Sequence, residues 1–428
     1  VDRLNTLLMM GMEIDKLEII IEGGTYTEYP TEYLKDFHRD MFYATNVYFD
    51  KIKRPKDTLM NEMKINIRSR VRIIGICIET RPDAISDDWI RFFRYTGTTR
   101  IQLGVQHLDN KILKKVNRGH DVETSINTIG ILKDNCFKID IHIMPDLPGS
   151  SPEQDIEMFD TLFKTNNVQA DQVKIYPCSV VPWTVINKWY KKGTYIPYGG
   201  PGDDKKKKIT EVIHYAMSIT PPWVRLPRVI RDIPVNYIDG GCQHPSMRQD
   251  IVDQMVKTKV KCMDIRSREI GRNQEYMNKS QKLYVRKYEC NDGMEYFISY
   301  ESVDNVALFG FIRLRIPYNN RKQVFRCLKN KGLVRELHVY GNVIPVGDRK
   351  NETQHKGLGK KLLSMAETIS IRDGMEGIAV ISGIGVMDYY RSLDYKEDDT
   401  FMIKRWENGW VFMGLARIIS LIRILLNV

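Results

Sequence analysis

Five short apolar runs, each followed by a polar loop, constrain the fold of the first half of this chain more than any other feature. The runs cover residues 17–21, 73–78, 100–106, 139–143 and 172–177, and helical patterns lie between them. Repeated strand-loop-helix units build a parallel sheet, and in barrels of this kind the loops after the strands carry the chemistry. The pattern therefore predicts an α/β class with a partial parallel (β/α) barrel.

A second pattern lies between Val334 and Tyr390, where a strand, a glycine-rich turn, a helix, a second strand and a tyrosine-bearing helix follow one another. The turn reads Gln-x-x-Gly-x-Gly over residues 354–359 and opens the helix. Glycines allow backbone N–H groups to approach a phosphate, and a helix N-terminus favours negative charge. The pattern predicts a phosphate site; the alternative is an ordinary strand-to-helix connection with core tyrosines.

This order of elements resembles the α+β core of the GNAT acetyltransferases. The resemblance implies that the turn holds the pyrophosphate of acetyl-CoA and that the preceding strand aligns its acyl arm. A tyrosine, Tyr390 in preference to Tyr389, would protonate the departing thiolate, and His338 is either a base or a packed histidine. The residues implied to bind acetyl-CoA are Glu336, Leu337, His338, Val339, Gln354, Gly357, Leu358, Gly359, Lys360, Lys361 and Tyr390.

The loops of the first half carry specific strings. They are Glu22-Gly23-Gly24-Thr25, Glu79-Thr80-Arg81-Pro82-Asp83, Gly104-Val105-Gln106, Asn117-Arg118-Gly119-His120 and Met144-Pro145-Asp146-Leu147-Pro148-Gly149. Together they resemble the radical S-adenosylmethionine domain of the catalytic subunit of Elongator, a tRNA acetyltransferase that modifies wobble uridines. The strings of the second pattern match the acetyltransferase domain of the same family in the same order. The resemblance extends from about Leu7 to about Lys404.

Several residues acquire expected roles through this resemblance. Gly23, Gly24, Glu79 and Gln106 would border S-adenosylmethionine, and Lys16 would touch acetyl-CoA from the barrel. Without the resemblance, Glu79 reads as a partner for a nearby arginine and Lys16 as a solvated surface lysine.

Cysteine usage conflicts with one family property. The family holds a 4Fe-4S cluster on three closely spaced cysteines upstream of the Gly-Gly loop, and thiolates are the usual ligands of such clusters. None of the seven cysteines lies upstream of Gly23, so no metal site is predicted. Either the chain is a fragment, which its Val start favours, or it has lost the radical step. Cys262, with Cys242 and His244 upstream, is expected to be a buried residue rather than a zinc ligand.

The chain is basic, with a net charge of +11 and a pI near 9.1. This balance favours a polyanionic partner such as RNA, and the alternative is a generally basic surface. Three arginines surround Pro227, which argues against a regular helix there, and the family has a similar string near its domain junction. The predicted phosphate-binding residues for tRNA are Arg225, Arg228, Arg231, Arg266 and Arg268.

Four regions are predicted. They are a radical-SAM-like partial barrel lacking its first unit (1–198), a basic junction (199–280), a GNAT acetyltransferase domain (281–406) and an apolar tail (407–428). The tail contains Arg417 and Arg423 and is too short and charged for a membrane span. Scattered cysteines without a CxxC pair indicate a reducing, intracellular compartment, and the predicted location is the cytoplasm, with the nucleus as a second site.

The resemblance implies a tRNA-modifying acetyltransferase that uses acetyl-CoA and S-adenosylmethionine to form carboxymethyluridine at the wobble position. Its expected partners are tRNA and other Elongator-type subunits. Two alternatives stay open: a protein lysine acetyltransferase with an inert radical lobe, and a non-catalytic tRNA-binding subunit.

Overall fold

The computed structural model describes residues 1–318, 323–340 and 357–406, and two large sheets organise them. The first sheet contains five strands in chain order, and every neighbouring pair is parallel. It curls into a half-barrel, which confirms the predicted α/β class and partial barrel. Its strands are β1 (Lys16–Ile21), β2 (Arg72–Thr80), β3 (Arg100–Gln106), β4 (Lys138–Ile143) and β5 (Gln172–Ile175).

Side chains alternate between the two faces of the half-barrel, as the period of two along a strand requires. The face covered by helices carries buried aliphatic residues such as Ile78, Leu103 and Ile141. The other face, which lines the inside of the half-barrel, is polar at most positions. Its members are Glu18, Cys77, Glu79, Arg100, Gln102, Lys138, Asp140, His142, Gln172 and Lys174.

Helices connect and cover these strands, and a small two-stranded sheet extends the lobe. The helices are α1 (Asp2–Met9), α2 (Thr31–Asn46), α3 (Leu59–Asn66), α4 (Asp87–Tyr95), α5 (Asn110–Lys115), α6 (Val122–Asp134), α7 (Pro152–Lys164), α8 (Val185–Lys191), α9 (Asp203–Ser218), α10 (Met247–Thr258) and α11 (Ile265–Arg268). The small sheet pairs β6 (Ser179–Val180) with β7 (Gly240–Gly241). We call this part of the molecule, residues 1–280, the barrel lobe.

The second sheet has seven strands in the order β13-β14-β12-β11-β10-β9-β8 and forms, with two helices, the second lobe. Its strands are β8 (Gln281–Glu289), β9 (Gly293–Ser302), β10 (Leu308–Pro317), β11 (Lys331–Val339), β12 (Gly377–Val380), β13 (Lys396–Asp398) and β14 (Phe401–Arg405). The helices are α12 (Leu358–Arg372) and α13 (Met387–Arg391). The apolar runs at 297–300 and 308–315 form the central parts of β9 and β10, whereas β8 contains no such run.

A fully buried ionic network joins the two lobes. Arg335 of β11 donates two hydrogen bonds to the carboxylate of Asp171, which precedes β5, at 2.5 and 2.8 Å. It also donates to Glu295 of β9 at 2.6 Å. Arg315 of β10 donates to Asp134 at the end of α6 at 2.6 Å. Each carboxylate is therefore held by an arginine, in two cases one from the other lobe.

Some predicted features lie outside the described residues, namely Gln354 and the apolar tail 407–428. Over the described ranges, no helix has the length and hydropathy needed to cross a membrane.

Candidate active site

A cavity of about 360 Å³ lies between the two lobes. The second lobe contributes one wall, which includes Leu337, His338, Ile381, Val386 and Tyr390. The barrel lobe contributes the opposite wall through Glu18, Gly75, Arg100, Lys138, Gln172 and Arg225. These barrel residues lie towards the amino ends of their strands, apart from Arg225, which follows the barrel strands. The second lobe therefore packs on the amino end of the half-barrel.

The divergence of β11 from β12 opens the cavity. The two parallel strands pair only from Lys331–Gly377 to Val334–Val380, whereas β11 stays paired with β10 as far as Val339. A bulge at Arg335 interrupts the β10–β11 register at this point. No described strand pairs with the β12 side of β11 beyond Val334. Its main-chain groups there are accessible to a ligand that lies along the strand.

The glycine turn lies beside the end of β11. Gly357 has a φ of +105°, a left-handed conformation that favours glycine, and α12 begins at the next residue. A Cβ on Gly359 would be 2.8 Å from the hydroxyl of Tyr389 and 3.7 Å from Val339. The start of a 15-residue helix therefore lies directly beside the open strand edge. Lys360 and Lys361 are exposed in its first turn.

The two tyrosines of α13 have different surroundings. Tyr390 is 7% exposed and lines the cavity, and its ring lies edge-on against Tyr389 and Tyr395. Burial raises the pKa of Tyr390, so its hydroxyl is protonated at neutral pH. Tyr389 is half-buried and places its hydroxyl over Gly359. Of the two, Tyr390 is the better placed to donate a proton inside the cavity.

Glu336 and His338 lie on the same face of β11 but have different partners. The carboxylate of Glu336 accepts hydrogen bonds from Lys138 at 2.5 Å and Arg313 at 2.8 Å. Despite a burial cost that opposes it, these cations lower the pKa of Glu336 to about 2. Its side chain is thus engaged by one cation from each lobe, and its main chain is what remains for a ligand. His338 stacks on Phe311 and lines the cavity, and reduced hydration there lowers its pKa.

Lys16 is exposed at the first position of β1 and lies 3.9 Å from Asp15. Residues two apart on a strand share a face, so Lys16 projects to the same side as Glu18 of the cavity wall. This position lies at the amino end of the barrel, beside the cavity.

The residues predicted for S-adenosylmethionine lie at the opposite, carboxyl end of the strands. Gly23 and Gly24 follow β1 with φ values of +114° and +65°. The carboxylate of Glu79 lies 3.4 Å from His142 Nδ1, and this contact lowers the pKa of Glu79. Gln106 has a φ of +71°, and its buried side-chain oxygen has no hydrogen-bond partner. A buried, unpaired acceptor costs free energy, and a ligand amine or hydroxyl would satisfy it.

Sequence reasoning missed other polar residues at this end of the barrel. Lys174 donates to Glu22 at 3.2 Å and to Gln102 at 2.7 Å, and Gln102 also lies 3.1 Å from His142. The signal was available, because these residues occupy the polar positions of otherwise apolar strands.

The described residues do not fit an iron-sulfur cluster. They contain no group of three or more His, Cys, Asp or Glu side chains placed to hold a metal ion. All seven cysteines are free thiols, and five are buried. Cys262 contacts Asp264 at 3.2 Å, and Arg248 lies 3.3 Å from the same carboxylate, so an ion pair occupies the position considered for zinc.

The five arginines predicted to bind RNA fall into three groups. Arg228 and Arg231 are exposed near the carboxyl end of β5, where the backbone of Arg228 accepts from Ile175. Arg225 and Arg266 are partly buried, and they pair with Glu269 and the Pro227 carbonyl. Arg268 does not fit the prediction: it is 2% exposed, donates to the carbonyls of Met263 and Pro222, and forms an ion pair with Glu301 at 2.9 Å. We therefore exclude Arg268 from the RNA surface.

Comparisons with known proteins agree with this architecture. Residues 29–162 match the Radical SAM superfamily and residues 170–257 the Radical_SAM C-terminal domain. The tRNA uridine(34) acetyltransferase of Methanocaldococcus jannaschii is 39% identical over 95% of this chain and 74% of its own length. Human Elongator complex protein 3 is 35% identical over 94% of this chain and 72% of its own length. The structure of Methanocaldococcus infernus Elp3 lacking residues 1–46 matches with a TM-score of 0.85, 37% identity and coverage of 95% of this chain and 94% of that one.

Proposed function

This chain belongs to the family of the tRNA uridine(34) acetyltransferases and Elongator complex protein 3, and we propose that it is an acyltransferase that modifies the wobble uridine of tRNA. In this proposal acetyl-CoA is the acyl donor, S-adenosylmethionine the second cofactor and carboxymethyluridine the product. The observation that carries the acyl-CoA half is the cavity at the divergence of β11 and β12, with the start of α12 on one side and Tyr390 inside.

The chain's own residues would act on the thioester as follows. The main chain of β11 beyond Val334 aligns the acyl arm, and the N–H groups at Gly357 and the start of α12 hold the pyrophosphate. In carboxymethyluridine the former acyl carbon is the carboxyl group, so the acceptor of the thioester's acyl carbon is water. Water adds to that carbon, the C–S bond breaks, Tyr390 gives its proton to the departing sulfur, and the proton from water restores the Tyr390 hydroxyl. With free acetyl-CoA the same hydrolysis gives acetate and CoA.

The carboxyl end of the barrel would hold the second cofactor. Gly23 and Gly24 leave an open turn there, and the unpaired oxygen of Gln106 and the carboxylate of Glu79 supply acceptors. Bound S-adenosylmethionine supplies radical chemistry in this superfamily. Because the described residues do not fit the cluster that this chemistry needs, we derive no step through it.

Tyr390→Phe is expected to slow acetyl-CoA hydrolysis on the order of 100- to 10,000-fold, because a general acid typically accelerates a reaction by a factor of this size. The assay follows CoA release by the purified chain with and without tRNA. Tyr389→Phe is the matched control, since its hydroxyl lies over Gly359 and outside the cavity, and we expect little change.

Gly357→Glu tests the proposed pyrophosphate site, and its effect is measured in the same assay of CoA release. It places a side chain on a left-handed residue and a negative charge where the pyrophosphate is proposed to lie. Gly374→Glu, at the other end of α12 with a φ of +81° and open space around it, is the matched control. No hydrolysis by the wild-type chain while tRNA is still bound would overturn the enzymatic proposal and favour a tRNA-binding subunit.

Replacing both Arg228 and Arg231 with alanine is expected to weaken tRNA binding about ten-fold. It should also reduce the slope of log K against log salt by about 1.4 to 1.8, because each phosphate contact contributes about 0.7–0.9. The control removes two other exposed charges, Arg68 and Arg391, which both pair with Asp388. An equal loss in both variants would mean that net charge, and not this surface, governs binding.

A further inference from the structure

The floor of the interlobe cavity contains an arginine whose guanidinium is only partly hydrogen-bonded within the protein. Arg100, the first residue of β3, lines the cavity and is 7% exposed. One end of its guanidinium lies 3.2 Å from Glu18. Its Nε is buried and has no hydrogen-bond partner, since the nearest carboxylate, Asp140, is 3.7 Å away. A buried N–H of this kind is costly unless a ligand or water accepts its hydrogen bond.

Two neighbours extend this floor. Gln172, the first residue of β5, is 4% exposed and lines the same cavity, and no described residue accepts from or donates to its side-chain amide. Gly75 of β2, between β1 and β3, also lines the cavity, and a Cβ there would lie in ordinary van der Waals contact with Thr99 Oγ1 at 3.4 Å and Glu18 Cγ at 3.6 Å. Lys138, by contrast, is engaged by Glu336.

The opposite wall of the cavity includes apolar side chains. Leu337, Ile381 and Val386 line it together with Tyr390. The cavity therefore combines an apolar wall with donors concentrated at one end. A short acyl group suits this division, because its alkyl part is apolar and its carbonyl oxygen accepts up to two hydrogen bonds.

We propose that Arg100, assisted by Gln172, binds the carbonyl oxygen of the acyl thioester at the floor of the interlobe cavity. This inference rests on the proposed function and deepens it: Arg100 is the group that recognises the acyl part, as distinct from the CoA part, of the donor. The barrel lobe thus completes a site that the second lobe alone leaves open.

The test compares two ligands by isothermal titration without tRNA. Acetyl-CoA carries the carbonyl, whereas S-ethyl-CoA is a thioether of similar shape that lacks it. We expect the wild-type chain to bind acetyl-CoA about ten-fold more tightly or better, the preference that a hydrogen bond from a charged group typically provides.

Arg100→Met combined with Asp140→Asn removes the guanidinium without leaving a buried carboxylate unpaired. We expect it to abolish the preference by weakening acetyl-CoA alone, while S-ethyl-CoA binding is unchanged. Gln172→Leu should reduce the preference about three-fold, and Arg100→Lys should retain part of it. Arg372→Met removes a partly buried arginine that pairs with Asp373 and does not line the cavity, so it is the control and should keep the preference.

Equal affinity of the wild-type chain for the two ligands, or a preference that persists in the Arg100 variant, would overturn the inference and leave the proposed function intact. Failure of the wild-type chain to bind either ligand would overturn the acyl-CoA site itself, and the inference with it. Thermal unfolding of each variant confirms that it is folded before the titrations are compared.

Discussion

Arg335→Met is expected to lower the free energy of unfolding by about 3–5 kcal/mol, the usual effect of breaking a buried ion pair from one side. Arg335 is completely buried, and its guanidinium donates to both oxygens of Asp171, to Glu295 and to the Phe137 carbonyl. Methionine fills a similar volume but leaves the two carboxylates without their main partner. Since Asp171 belongs to the barrel lobe and Glu295 to the second lobe, the loss falls on the lobe interface.

Urea unfolding at neutral pH measures this effect. Arg405→Met is the control, because Arg405 pairs with Asp398 on the surface and is expected to contribute about 0–1 kcal/mol. A loss at Arg335 no larger than at Arg405 would contradict the prediction.

Acid supplies a second test of the same network. The arginines and lysines around them lower the pKa of Asp171, Glu295 and Glu336, the last to about 2. A lowered pKa stabilises the fold above the ordinary carboxyl pKa of about 4, and this stabilisation is lost as the pH falls towards the folded-state value. In Arg335→Met, Asp171 and Glu295 remain buried but lose the arginine that offsets the cost of burying their negative charges. The difference between wild type and variant should therefore shrink between pH 7 and about pH 3.

The sequence predicts the half-barrel well because its strands are strongly apolar on the helix-covered face. Ile73–Ile78 is an example, and it lies inside the longer β2. The sequence predicts β8 poorly, because Gln281–Glu289 is an edge strand whose residues are all partly or fully exposed. Its charged residues obscure the alternation of polar and apolar positions that marks a strand. An exposed strand on one side of a sheet carries little hydrophobic signal.

The candidate site was predictable where local sequence determines local geometry. The turn at Gly357 and the tyrosines of α13 are of this kind, because the residues next to them in the sequence determine where a left-handed glycine and a helix start occur. Contacts between lobes are not, since Arg335 and Asp171 are 164 residues apart and only the tertiary fold brings them together. Arg100 could not be predicted as a site residue for the same reason, because it becomes part of a site only when the second lobe covers the amino end of β3. Arg268 illustrates the converse, a charged residue in a basic string that the fold buries.

The contact of Gly383 with β2 leads to the second large expected effect. A Cβ at Gly383 would lie 1.9 Å from the carbonyl oxygen of Ile74 and 2.4 Å from its carbon. Both are backbone atoms of β2, at the position where its register with β1 shifts, and backbone atoms cannot move aside as the end of a flexible side chain would. Gly383 and Ile74 also line the cavity, and the clash falls at the point where the two lobes meet.

Gly383→Ala is therefore expected to destabilise the protein by about 3 kcal/mol, the upper end of the usual cost of overpacking. It is also expected to weaken acetyl-CoA binding at least ten-fold, because the cavity wall that carries Tyr390 must shift. Thermal unfolding and titration with acetyl-CoA measure the two effects. Gly271→Ala is the matched control, since nothing lies within 4 Å of a Cβ there, and it should change neither quantity. Full stability combined with unchanged acetyl-CoA affinity in Gly383→Ala would show that the lobes do not need this close contact. A loss of affinity without a loss of stability would instead mean that the wall carrying Tyr390 shifts while the shared core stays intact, because the apolar cluster of the barrel lobe also contains second-lobe residues such as Leu333 and Phe401.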